Sequence, residues 1–318
     1  GKNMKNIPFS QVELTGGYLF DKQELNRKTT IHAVYDRFLE TGRFAAFDFN
    51  YKEGDTIKPH FFWDSDVAKW LEAAAYITRK HPSPDLEKIV DDTVEKIKAH
   101  QLEDGYFNIY HTVVEPEMRW KERHNHELYC AGHLMEAAVA YYNATGKDKF
   151  LSAMCKYADY IEKRFKIDKD TDFVTPGHEE IELALLRLYE YTGDEKHLEL
   201  ARFFIDKRGN NDKDEKHEYN QSTMPVRDMT EAFGHAVRAG YLYTAMAELA
   251  RIDNDTALKA ACDRLFEDIV TRKMSITGGI GAEREGERFS YAYDLWMSKH
   301  GFYIFEIVFG HQVRITWM

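Results

Sequence analysis

The chain has 318 residues, of which 43% are hydrophobic and 14% aromatic, enough for a sizeable core in one large domain or two medium ones. Its formal net charge is −11, with 43 Lys and Arg against 54 Asp and Glu and no basic stripe, which excludes nucleic acid and anionic membrane as natural partners. No run approaches the ~18 consecutive apolar residues of a membrane span, and no signal-peptide pattern follows the opening Gly1-Lys-Asn-Met. Cys130, Cys155 and Cys262 are far apart and form no C-x-x-C pair, so a reducing, cytoplasmic setting is expected and no cysteine zinc site is visible. In chain order, apolar spacing of three and four predicts helices over 64–78, 85–100, 126–143, 150–165, 179–191, 196–208, 230–251 and 256–273. Asp64 or Ser65 is the expected N-cap of the first, and Pro82-Ser83-Pro84 precedes the second. Strand alternation is scarce until the last stretch, where 296–318 fits a helix or a strand equally.

Two joints repeat. Ala144-Thr-Gly-Lys-Asp-Lys-Phe-Leu151 matches Tyr191-Thr-Gly-Asp-Glu-Lys-His-Leu198 at an offset of 47 residues. Gly146 and Gly193 stand where the residue after a helix needs positive φ, so each joint closes an αα-hairpin. Repeats of this period stack into an open solenoid or a closed toroid. Gly-rich aromatic loops such as Gln101-Leu-Glu-Asp-Gly-Tyr-Phe107 favour closure. The expected fold is therefore all-α, an (α/α)6 barrel in a single domain over 1–318, with one central cleft lined by the inner-helix loops. The charged stretch 208–216 reads as a solvated loop.

Three histidine segments carry the chemistry: His126-Glu-Leu-Tyr-Cys-Ala-Gly-His133, Pro176-Gly-His178-Glu-Glu, and Phe233-Gly-His235-Ala-Val-Arg. Singly, each reads as a core or cap histidine; together, each at the start of a similar helix, they read as imidazoles converging on one polar pocket. Glycoside hydrolysis needs a proton donor facing a nucleophile or base. Glu287 is the best-placed carboxylate, because the glycines of Thr277-Gly-Gly-Ile-Gly-Ala-Glu-Arg-Glu-Gly-Glu287 let a loop turn over a cleft. An exposed Glu on a Gly-rich hairpin is the alternative. Asp64 and Asp66, beside Trp63 and His60, form a second candidate pair, with helix capping as their alternative.

On these segments, with Phe62-Trp-Asp-Ser-Asp-Val-Ala-Lys-Trp70 and Gly278 to Phe289, the chain resembles glycoside hydrolase family 127, the β-L-arabinofuranosidases and their relatives, over roughly residues 8–295. The resemblance implies an (α/α)6 barrel followed by β-sandwich domains, which this sequence does not carry. It implies removal of L-arabinofuranose with retention by a zinc-held cysteine nucleophile. Glu287 matches the family's acid/base, and His126, His178 and His235 match residues that contact sugar hydroxyls; Asp64 and Asp66 join them as substrate-binding candidates. After Leu295 the sequence departs from the family. It lacks the Pro-Asn and Glu-Thr-Cys segments and the later Cys-Cys pair, and Glu306 without neighbouring cysteines is no substitute ligand. The expectation is thus no cofactor in this chain, against zinc in complete members. A carbohydrate is the expected partner, and self-association is the expected result if a face that docks the sandwich domains is left bare. Three readings stay open: a glycosidase inactive in this chain, a non-catalytic carbohydrate-binding toroid, and a protein-interaction solenoid.

Overall fold

The computed structural model describes residue 7 and residues 9–294, so the divergent segment 296–318 and Glu306 lie outside the described residues. Among the described residues the fold is all-helical, with no strand and only isolated bridges pairing Arg288 with His235 and with Glu283. The described residues fall into two compact units.

The first unit spans 9–119 and 133–161. It carries α1 (Gly17–Leu25), α2 (Ile31–Glu40), α3 (Trp63–Lys80), α4 (Pro84–His100), a single turn α5 (Tyr110–Val113), most of α6 (Glu127–Thr145) and α7 (Lys149–Glu162). On α3, Val67, Ala68, Trp70, Leu71, Ala74 and Ala75 are buried at helical spacing, and α4 packs on it through Leu86, Val90, Val94 and Ile97. Pro84 opens α4, where its missing N–H costs nothing. The sequence does not reveal α1, which has no buried face, and α2 buries only Ile31. α2 is anchored instead by the Trp70 indole, which donates to the Ile31 carbonyl at 2.8 Å, and by Tyr35 and Phe44 against the Trp70 ring.

The second unit spans 120–132 and 162–294 and holds the start of α6, α8 (Ile181–Thr192), α9 (Glu195–Lys207), α10 (Ala236–Asp253) and α11 (Thr256–Asp268). α8 packs on α9 and α10, and α10 on α11. Both repeated joints are built as their glycines require, with φ of 73° at Gly146 and 68° at Gly193. In each, the threonine hydroxyl donates to the carbonyl four residues back at 2.7 Å and accepts the N–H two residues on at 3.2 Å.

Two local expectations are corrected. The expected loop 208–216 is partly internal: Arg208 is fully buried, donating to the Pro176 carbonyl at 2.8 Å and to Glu182 at 3.1 Å. Asp214 accepts the Val174 and Thr175 N–H groups at 2.7 and 2.8 Å. And α10 begins at Ala236 rather than near 230, because Gly234 has φ 72° and His235 is extended.

Candidate active site

The second unit brings four of the predicted residues together, three histidines on irregular backbone before helices and Glu287 on a Gly-rich loop. His126 precedes α6 with φ 60°. The loop behind it is tied down by Glu127, whose carboxylate accepts the Trp120 N–H at 2.7 Å. Gly177 must be glycine, since a Cβ there would lie 2.5 Å from the Arg123 carbonyl oxygen. That close approach carries His178 to His126, with ring centroids 5.6 Å apart. The His235 ring is 5.9 Å from that of His178. Beside it the loop bearing Glu287 is stitched down by the Phe289 N–H donating to the Gly234 carbonyl at 2.9 Å. Gly278, Gly281 and Gly286 all take positive φ in that loop, and Glu287 itself has φ 52°. His235 Nε2 and Glu287 Oε2 are 2.8 Å apart.

Aromatic rings line the cluster. Tyr129 lies 4.2 Å and Tyr241 5.7 Å from the His178 ring, and Tyr219 lies 5.3 Å from the His235 ring. The Arg238 guanidinium sits over Tyr219 and donates to the Gly177 carbonyl. Burial, then the charge of Arg238, then His126, holds the His178 pKa well below the ordinary histidine value. Burial and Arg238 also lower His235, against the opposing pull of Glu287. Both rings are therefore neutral at neutral pH. His178 Nδ1 lies 2.9 Å from the Glu179 carbonyl, which can only accept, so the ring proton sits on Nδ1 and Nε2 is a bare acceptor. Beneath this layer Glu179 is fully buried and pushed up to about 7 by desolvation. Arg208, 3.6 Å away, pulls it down, but burial outweighs that pull.

Asp64 and Asp66 belong to the first unit. Neither caps α3, which starts at Trp63. Asp64 is fully buried, accepts the Ile109 N–H at 3.0 Å and is pushed up to about 7 by desolvation. Asp66 accepts from the Arg43 guanidinium at 2.8 Å, and that guanidinium also lies over the Trp63 ring.

The model of the β-L-arabinofuranosidase GH127 catalytic domain matches residues 11–300. The chain belongs to glycoside hydrolase family 127. Two of its structural neighbours carry that family name. A GH127 β-L-arabinofuranosidase from Geobacillus stearothermophilus T6 superposes with TM-score 0.83 and 42% identity, covering 89% of this chain and 49% of that one. Another GH127 β-arabinofuranosidase gives 0.82 and 35%, covering 91% and 47%. The non-reducing end β-L-arabinofuranosidase of Bifidobacterium longum is 39% identical over 260 residues, 74% of this chain and 39% of that protein. The chain thus spans half or less of the length of these relatives. No helix among the described residues is long and apolar enough to cross a membrane.

The resemblance to family 127 implied a thiolate-held zinc. Cys262 in the second unit does not fit such a group: it is buried on α11 and its thiol is pushed up to about 12 by desolvation, the reverse of a zinc-ready thiolate. Sequence reasoning missed Tyr129, Tyr219, Tyr241 and Arg238. Helical spacing offers a signal for two of them, since Tyr129 follows His126 and Arg238 follows His235 by three residues. Tyr219 and Tyr241 carry no such mark.

Proposed function

We propose that this chain is the helical catalytic part of a β-L-arabinofuranosidase-type glycoside hydrolase acting on terminal L-arabinofuranosides with retention. In this reading Glu287 is the acid/base, and His126 and His178 contact sugar hydroxyls. The observation that carries it is the convergence of Glu287 with His126, His178 and His235 inside a wall of tyrosines, with the His235–Glu287 contact at 2.8 Å. The neutral rings and aromatic faces suit a polyhydroxylated, uncharged ligand, with hydroxyls bonded to nitrogen and C–H faces laid on tyrosine. Glu287, 41% exposed at its side chain, is open to a ligand's glycosidic oxygen, to give it a proton and later to take one from water.

The test is hydrolysis of p-nitrophenyl β-L-arabinofuranoside by wild type and Glu287→Gln, with added zinc and with chelator, beside calorimetric titration with an arabinoside. Turnover lost in the variant supports the acid/base assignment. Binding heat without turnover turns the reading to a carbohydrate-binding domain. Neither heat nor turnover overturns it.

A further inference from the structure

We propose that His235 is a positioning residue for Glu287, with its ring locked in the Nε2–H tautomer by the N-terminus of α10 and that hydrogen fixing the carboxylate. The inference rests on the acid/base reading of Glu287. His235 is the residue preceding α10, and its Nδ1 faces the Arg238 backbone N–H at 3.2 Å. A backbone N–H can only donate, so in the neutral ring Nδ1 must be bare and the one ring proton must sit on Nε2. That proton points along the 2.8 Å contact to Glu287 Oε2. The direction of the hydrogen bond is therefore dictated by the helix end and not by the carboxylate. Both ring nitrogens of His235 are committed, which sets it apart from His178, whose Nε2 is a bare acceptor. The family resemblance gives both rings to the sugar; the hydrogen bonding divides them into a donor that holds Glu287 and an acceptor that faces the pocket.

The need for such a hold is visible in the loop. Glu287 is 41% exposed at its side chain and takes φ 52° directly after Gly286 at 71°, so its long side chain gains little fixation from packing. His235, 8% exposed at its side chain, is the rigid partner. Its own backbone is held from both sides, its N–H donating to the Tyr219 carbonyl at 3.1 Å and its carbonyl accepting from Gln221 at 3.1 Å. A buried, doubly tethered ring that aims one oxygen of a partly exposed carboxylate leaves the second oxygen to meet ligand.

Nitrogen-15 NMR of the imidazoles at neutral pH tests the lock. Wild type is expected to show His235 in the Nε2–H form with a slowly exchanging ring proton. Glu287→Gln is expected to keep the tautomer while that proton exchanges faster. An Nδ1–H ring in wild type, or a tautomer that changes in Glu287→Gln, overturns the proposal. Two further variants test the positioning. His235→Asn keeps an acceptor for the helix N-terminus but cannot reach Glu287; its crystal structure is expected to show the carboxylate swung from its wild-type position at an unchanged melting temperature. His235→Gln reaches with an N–H donor and is expected to restore that position. A carboxylate that stays in place in His235→Asn overturns the proposal. These readouts need no turnover, so they separate from failure of the acid/base reading, which would show as Glu287→Gln hydrolysing substrate like wild type.

Discussion

His178 shows how one carbonyl can set the chemistry of a side chain. Because the Glu179 carbonyl takes the Nδ1 proton, Nε2 has nothing to give and can only receive a hydroxyl proton. His178→Phe keeps an aromatic ring against Tyr129 and removes the acceptor; it is expected to weaken arabinoside binding about tenfold, read by calorimetry. Asp64, in the first unit, makes a different case. Burial pushes it up to about 7, so below that pH it is a neutral acid whose oxygen accepts the Ile109 N–H. Asp64→Asn retains that acceptor and is expected to melt close to wild type at pH 6, whereas Asp64→Ala strands the buried N–H and should cost about 1–3 kcal/mol in urea unfolding. Much of the cluster was legible in sequence, because a glycine before a histidine at the start of an apolar-periodic run marks both the backbone geometry and the chemical group. Arg208 was not legible: in a string of charged residues nothing marks the one guanidinium that turns inward to satisfy buried carbonyls.

At the scale of the element, the two kinds of glycine separate conformation from space. Gly193 has positive φ and nothing within 4 Å of a Cβ, so Gly193→Ala is expected to cost only about 1 kcal/mol of backbone strain. Gly234 has positive φ and a Cβ position 2.2 Å from the Glu218 carbonyl oxygen. Gly234→Ala must push that strand of loop away from His235, so it should cost severalfold more and disturb the ring signals of His235 in the same spectrum that leaves Gly193→Ala unchanged. Helices that bury a stripe, such as α3 and α4, stood out from their apolar spacing to within a few residues at their ends. α1 could not, since a helix with no buried face has no period to read.

For the whole molecule, buried titratable groups of opposite tendency shape the pH dependence of stability. Buried His111, His178 and His235 all have lowered pKa values, led in each case by desolvation. Below about 6.5 the unfolded chain binds protons that these folded rings refuse, so each group favours unfolding on acidification by up to about 1.4 kcal/mol per pH unit. Asp64 and Glu179, raised to about 7, act the other way between pH 7 and the ordinary carboxyl range, because there the folded state binds the proton. With three buried rings against two buried carboxyls, the urea midpoint is expected to fall from pH 7 to pH 5. Glu179→Gln, which removes one opposing group, should steepen that fall; a shallower one would show that Glu179 is ionised in the folded protein. The positive φ of His126 and Glu287 carries a different consequence. Each holds a side chain in a conformation that glycine or asparagine would adopt more cheaply, by about 1 kcal/mol or more. If the proposed roles of His126 and Glu287 hold, both are places where stability is surrendered for the sake of a chemical group. A lineage released from acting on sugars would have two easy gains open to it, and would be expected to drift there first.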